Sequence, residues 1–383
     1  MNIHESTTAF EAWLRDQLSD RGKCDDAALL GKHADMKKEG AHAFLRGTFY
    51  RWAELWKDVT DGGSNVAAVG DTHVENFGTW RDEEGRLVWG VNDFDEACEL
   101  PWTSDLVRLG VSARLALSKL ESFKLSAEDA CDAIWDGYAE ALTFRNASPL
   151  VLAEKHDVLR DFALKLILSK PPEKFWKKKE EKLKPAQNMP GDARTALQAT
   201  LLEGAAKVEL LQPKPGDQPG MGSRGKRRFY ALAMWKGAKI LREAKPVVPS
   251  AMAWARAGDA GPGLAEMLIS PRRCPDPFQE IRGKWVVRRL AADSSKIELE
   301  DLGGAGADED MERKVFESMG AEIGNLHLGS INAAKLRREL DARGSNAAWL
   351  HKAAKDWSKR VKEDFAEFAD RASSRSLPAR RSR

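Results

Sequence analysis

Residues 70–77 read GDTHVENF and residues 91–97 read VNDFDEA. Each stretch follows a short apolar run, NVAAV at 65–69 and LVW at 87–89. Carboxylates at this density repel one another unless positive charge sits between them. Asp71 and Asn76 are five residues apart in a glycine-led segment after a strand-like run, which predicts a loop rather than a helix face. Asp93 follows Asn76 by seventeen residues, at the end of another apolar run. One aspartate beside a substrate hydroxyl, with an asparagine and a second aspartate on magnesium, is what phosphoryl transfer from a nucleotide requires. Magnesium takes oxygen ligands and keeps waters and substrate phosphates in its shell. A metal and a polyphosphate would let these acids coexist.

The chain has 383 residues, 42% of them apolar, which is enough for two lobes around a sizeable core. Lys+Arg at 61 nearly balance Asp+Glu at 59, so charge gives no case for a dedicated nucleic-acid binder. The four cysteines, Cys24, Cys98, Cys131 and Cys274, lack CxxC spacing and point to neither a zinc site nor a disulfide framework. MNIHESTTAFEAWLRDQL lacks a basic start followed by an apolar run, so no secretory signal is expected. No run is apolar enough to span a membrane, and a cytoplasmic protein is expected.

Apolar spacing predicts helices within 8–58, from Ser104, at 127–144 and at 149–169, and again after 306. Gly85 predicts a turn between the acidic motifs, which then flank a hairpin. Residues 171–185 are charge-rich and read as a solvated helix or linker. From about 220 to 300 the pattern is β-like, with a turn at Lys236-Gly237 and a strand at 284–291. The expected organisation is a helical lobe with both motifs over 1–210, a β-rich lobe over 211–305, packed C-terminal helices over 306–372 and a disordered basic tail over 373–383. The thirteen tryptophans are expected in the core.

The run GDTHVENF…GRLVWGVNDFDEACELPWTSDLVRL resembles the catalytic core of the aminoglycoside-phosphotransferase and choline-kinase branch of the protein-kinase-like superfamily. That resemblance implies Asp71 as catalytic base, Asn76 and Asp93 as magnesium ligands, and Asp105 as a structural anchor opening a helix. It leaves Asp95 and Glu96 as further acids, Asp95 as a third metal ligand, and puts His73 with Asp71 in the catalytic set. His73 reads equally as a loop-holding residue. Arg46 reads as a partner for one of the acids or as a helix-end salt bridge. Over residues 30–330 the chain also resembles a bacterial family known as domain of unknown function 2252, through AFLRG, GDTHVENFG, NDFDE, GMGSRGKRRFYAL and VVRRL. That family brings no established activity.

The chain departs from kinases in its order. No GxGxxG precedes Gly70; the pattern comes later as Gly220, Gly222 and Gly225 in GMGSRG, with Ser223 inside it. Glycine backbone can approach phosphates closely. The implied fold is α+β, a protein-kinase-like two-lobe architecture, circularly permuted so that the helical lobe comes first. Lys239, Arg242 and Lys245 are the candidate phosphate cations. Arg288 and Arg289 alternate along a strand, so one of them faces a ligand. The expected activity is an ATP- and magnesium-dependent phosphotransferase acting on a small hydroxylated molecule. The rivals are a nucleotide-binding pseudokinase and a metal-dependent phosphoesterase. The bland reading has Asp71 and Asp93 closing turns and GMGSRG as a flexible connection.

Overall fold

Two short antiparallel ladders bracket the acidic motifs. Strand β1 (Asn65–Ala68) ends where GDTHVEN begins, and β2 (Phe77–Arg81) starts where it stops. Strand β3 (Leu87–Val91) leads into NDFDEA, and β4 (Cys98–Pro101) leads out of it. Because β1 pairs with β4 and β2 with β3, each loop is pinned at both ends against the other. Gly85, at φ +74°, makes the predicted turn between β2 and β3. Strand β5 (Leu150–Val151) extends the β2–β3 pair.

This is the computed structural model of the chain, and it describes residues 1–59, 62–120, 123–143, 148–154, 157–217, 220–270, 272–294, 296, 299 and 308–370. The sequence-predicted basic tail lies outside the described residues. The architecture is mixed α and β, with helices and three antiparallel sheets among the described residues. No helix there is long and apolar enough to cross a membrane.

The largest sheet holds β6 (Leu183–Pro185), β7 (Ala206–Pro213), β8 (Phe229–Trp235), β9 (Ala238–Pro246), β10 (Glu280–Arg282) and β11 (Trp285–Leu290), in the order β10-β11-β9-β8-β7-β6. It therefore begins before residue 211, within the charge-rich segment and its sequel. Lys236 and Gly237, at φ +48° and +84°, form the two-residue hairpin turn joining β8 to β9. Side chains alternate between the faces. Phe229, Ala231, Ala244, Trp285 and Val287 pack beneath the Gly191–Ala199 helix. Tyr230 and Leu241 occupy the other face with Leu211 and the half-buried Trp176.

The N-terminal helices, the Trp102–Leu117 helix and the C-terminal helices share one apolar core that includes Phe44, Trp52, Trp102, Phe316 and Leu350. Trp52, Trp56, Trp80 and Trp89 are all buried. The Glu309–His327 helix lies so close to Ala127–Ala141 that a Cβ on Gly320 would stand 2.0 Å from the Ile134 carbonyl oxygen. A Cβ on Gly137 would stand 1.9 Å from that of Glu317.

Alanine ordinarily gains about 1 kcal/mol over glycine inside a helix. Here overpacking against backbone costs about 1–3 kcal/mol and reverses the sign. Gly320→Ala is expected to lower stability in urea unfolding, and a stabilised variant would rule out the close crossing.

Candidate active site

Gly70 is glycine for two physical reasons. Its φ is +78°, and a Cβ would lie 2.1 Å from the Glu96 carbonyl oxygen in the opposite motif. The loop that follows is anchored by one carboxylate. Asp105, wholly buried in the first turn of the Trp102–Leu117 helix, accepts from the Val69 N–H at 2.7 Å, the Gly70 N–H at 3.0 Å and the Thr72 hydroxyl at 2.7 Å. His327 Nε2 lies 3.1 Å from its other side, and Tyr138 OH lies 2.9 Å from His327 Nδ1. With Tyr138 donating to Nδ1, the Nε2 proton points at Asp105. Burial alone would raise the Asp105 pKa, but His327, Thr72 and Val69 hold it below the usual value.

Asp71 then projects toward a cavity. Its Oδ1 accepts from Arg108, which lies one helical turn after Asp105, is fully buried and also donates to the Leu45 carbonyl at 2.8 Å. The rings of Phe49 and Trp52 flank the Arg108 guanidinium, each 5.1 Å away. Burial raises the Asp71 pKa and the Asp93 charge adds to this, against Arg108 and Arg46. Asn76 works as a staple between the loops: its amide donates to the carbonyls of Asp71 and Asp93, and its oxygen accepts from the Asp93 N–H at 3.1 Å. His73 is buried and its Nδ1 has no hydrogen-bond partner among the described residues. Burial and the charges of Arg46 and Lys296 keep its imidazole neutral.

The cavity, about 260 Å³, has the two acidic loops on one side and residues 220–223, Lys226, Arg228 and Arg288 on the other. The glycine loop approaches closely: a Cβ on Gly222 would be 3.2 Å from both Asp71 Oδ2 and the Arg46 carbonyl oxygen. Lys245 Nζ reaches Asp93 at 3.1 Å and Asp95 at 2.6 Å, and Lys226 reaches Asp95 at 3.3 Å. Burial would raise the Asp93 pKa, but Lys245, Arg288 and Lys296 hold it well below the usual value. Burial pushes Glu96 up to about 7, against Lys226 and the Ala251 N–H.

Of the three candidate phosphate cations, Lys245 alone meets the acids. Lys239 sits at the far end of β9, paired with Glu180, and Arg242 faces the opposite side, over the Phe278 ring and bonded to the Thr200 carbonyl. Gly220, at φ +72°, and Ser223 line the cavity, whereas Gly225, at φ +99°, packs on Leu29 behind the loop. Arg46 pairs with Glu75 at 2.7 Å, an acid of the first motif, and lines the cavity beside it. Arg288 faces the cavity and Arg289 turns away to Asp276, as strand alternation requires. Sequence reading passed over Arg108, Lys226, Arg228 and Glu243. A signal existed for Arg108 in its i+3 spacing from Asp105, and for the next two in the cation run after the glycines.

Asp93, Asp95 and the Asn76 oxygen lie close together, engaged by Lys245 and the Asp93 N–H. Among the described residues no group of three or more His, Cys, Asp or Glu could hold a metal ion, so an ion here would depend on waters and phosphates for its shell.

Asp105→Asn removes a buried charge with four partners, and about 3–5 kcal/mol of destabilisation is expected at neutral pH. Because the folded pKa is depressed, Asp105 contributes stability above its unfolded value near 3.8 and loses it as pH falls through the folded value. The wild-type advantage in denaturant unfolding should therefore shrink in acid. A pH-independent difference would contradict the role assigned to this charge.

No curated protein and no solved structure matches the chain. The matched family stretch takes in both acidic motifs and Asp105 but ends before the glycine loop and β11. Residues 24–165 match a bacterial family described as "Uncharacterized protein conserved in bacteria (DUF2252)".

Proposed function

We propose that the chain is a magnesium- and nucleoside-triphosphate-dependent phosphotransferase of protein-kinase-like, circularly permuted design, acting on a small hydroxylated acceptor. The observation that supports this most is the meeting of the late glycine loop with the early acidic loops across one cavity. The loop joins β7 to β8, and the next strand, β9, brings Lys245 to Asp93. A glycine-rich loop over the phosphates, a lysine on the third strand, an aspartate base and an Asn/Asp metal pair are the parts a kinase uses.

In this reading Asp71 receives the acceptor hydroxyl proton, with Arg108 fixing its orientation and its raised pKa bringing it nearer the working range of a base. Asp93, Asp95 and the Asn76 oxygen would hold magnesium, which supplies charge neutralisation at the phosphate oxygens. The glycine loop offers backbone N–H groups and excludes water. Apart from Met221 the cavity is lined among the described residues by polar side chains and glycines, with no Phe, Tyr or Trp. That favours a small polar acceptor over one held by an aromatic cage.

One observation favours a second reading, a nucleotide-binding protein without transfer: the Asp71 carboxylate is already bonded to Arg108. A two-metal phosphoesterase needs several converging His and Asp ligands, and no such group occurs among the described residues.

A ligand at a hundred times its Kd stabilises the folded state by about 2.7 kcal/mol. Magnesium with ATP is therefore expected to raise Tm, and Asp93→Ala to lose the metal-dependent part of that rise. Asp71→Asn is expected to keep the shift and to lose phosphate transfer in an acceptor screen followed by mass spectrometry. No nucleotide shift in wild type would end this reading. An Asp71→Asn variant that still transfers would remove Asp71 as base.

A further inference from the structure

We infer that Arg288, braced together with Arg228 on the buried carboxylate of Glu243, forms a phosphate clamp that takes the polyphosphate of the incoming ligand. The inference rests on the phosphotransfer reading and names the residue that touches the anion.

Lys245, the one of the three candidate cations that meets the acids, is occupied. It is only 4% exposed and lies within 3.1 Å of Asp93 and 2.6 Å of Asp95, so two carboxylates already share its charge. Two residues earlier on the same face of β9, Glu243 is 2% exposed. It accepts from Arg228 Nη1 at 2.8 Å, Tyr230 OH at 2.9 Å and Arg288 Nε at 2.6 Å. Electrical neutrality for a buried carboxylate needs one cation. Glu243 has two, and both guanidiniums line the cavity. Glu243 by itself therefore neutralises only one of the two, and the second guanidinium keeps charge to share with other acceptors at the cavity.

The geometry of Arg288 suits an anion, while Arg228, bonded through both terminal nitrogens, braces the wall beside it. Arg288 is bonded through Nε, leaving its two terminal nitrogens without a hydrogen bond among the described residues, and its side chain is 22% exposed. Guanidinium is a donor only, so these groups can be satisfied by oxygen acceptors alone. Two parallel N–H donors match two phosphate oxygens. Arg228 donates from Nη2 to the Ser223 hydroxyl, which ties the wall to the glycine loop. A Cβ on Gly220 would come within 3.1 Å of that nitrogen, so glycine leaves the arm its space. Held rotamers lose less freedom on binding.

The test is calorimetric titration of the full chain with magnesium tripolyphosphate and, separately, with magnesium and the β,γ-imido analogue of ATP. Wild type is compared with Arg288→Gln and Arg288→Lys, each checked for folding by its thermal melt. Loss of charge-assisted hydrogen bonds predicts at least about tenfold weaker binding of both ligands to Arg288→Gln. Arg288→Lys keeps the charge without the fork and should recover only part of the loss. Should Arg288→Gln misfold, the milder Arg288→Lys variant still reports, and wild-type affinity for both ligands would overturn the clamp. Nucleotide binding untouched by either substitution overturns the clamp and leaves phosphotransfer standing. Binding of the nucleotide analogue without tripolyphosphate also overturns it, because the anion then contributes too little. If neither ligand binds wild type, clamp and phosphotransfer fall together.

Discussion

A single carboxylate, that of Asp105, fixes the backbone from which the candidate catalytic group projects. Two N–H donors and a hydroxyl from the loop converge on it, with His327 closing the far side. A charge with no exposure is costly unless every lone pair is used, and here the cost is offset by bonds that also set the course of residues 69–72. The loop cannot relax without leaving a buried charge unpaired. Arg108, one turn along the same helix, then reaches Asp71. One helix face thus supports the loop backbone and orients its acid.

The other half of the site depends on strand parity. Along β9, Arg242 and Ala244 face the Gly191–Ala199 helix, while Leu241, Glu243 and Lys245 share the other face, on which Lys245 reaches Asp93. A one-residue slip would exchange these sets, put Ala244 or Pro246 where Lys245 meets Asp93, and move Arg242 to the place of Glu243 or Leu241. The tight Lys236-Gly237 turn and the apolar pairs Phe229 with Ala244 and Leu232 with Leu241 hold the register.

Much of this was legible in the residues. The acid spacing located the loops, Gly85 and Lys236-Gly237 located turns, and the Arg288/Arg289 alternation separated two neighbouring cations. Less was legible where partners are remote in sequence. Nothing local says that Asp105 meets His327 or that Glu243 takes Arg228 and Arg288, since these contacts exist only after the sheet and helices pack. Choosing among Lys239, Arg242 and Lys245 required knowing which face of β9 meets the acids. The charge-rich segment 171–185 reads as a solvated helix or linker, and Pro172–Lys182 is indeed a helix with no buried residue. Not legible was that Leu183–Pro185 adds an edge strand to the sheet, with Trp176 and Leu183 packed on it.

The pairing of Lys245 and Lys226 with Asp93 and Asp95 has a consequence for how the cleft fills. A divalent ion arriving alone must evict ammonium groups from those carboxylates, and a polyanion arriving alone must pull the ammonium groups away and strand the acids. Each guest by itself trades one ion pair for another with little net gain. Under the proposed function, metal and polyphosphate arriving together would give the carboxylates a metal and free the lysines to face an oxyanion in the same exchange. Such a cleft would bind its two guests synergistically, through side chains that without them serve as mutual placeholders.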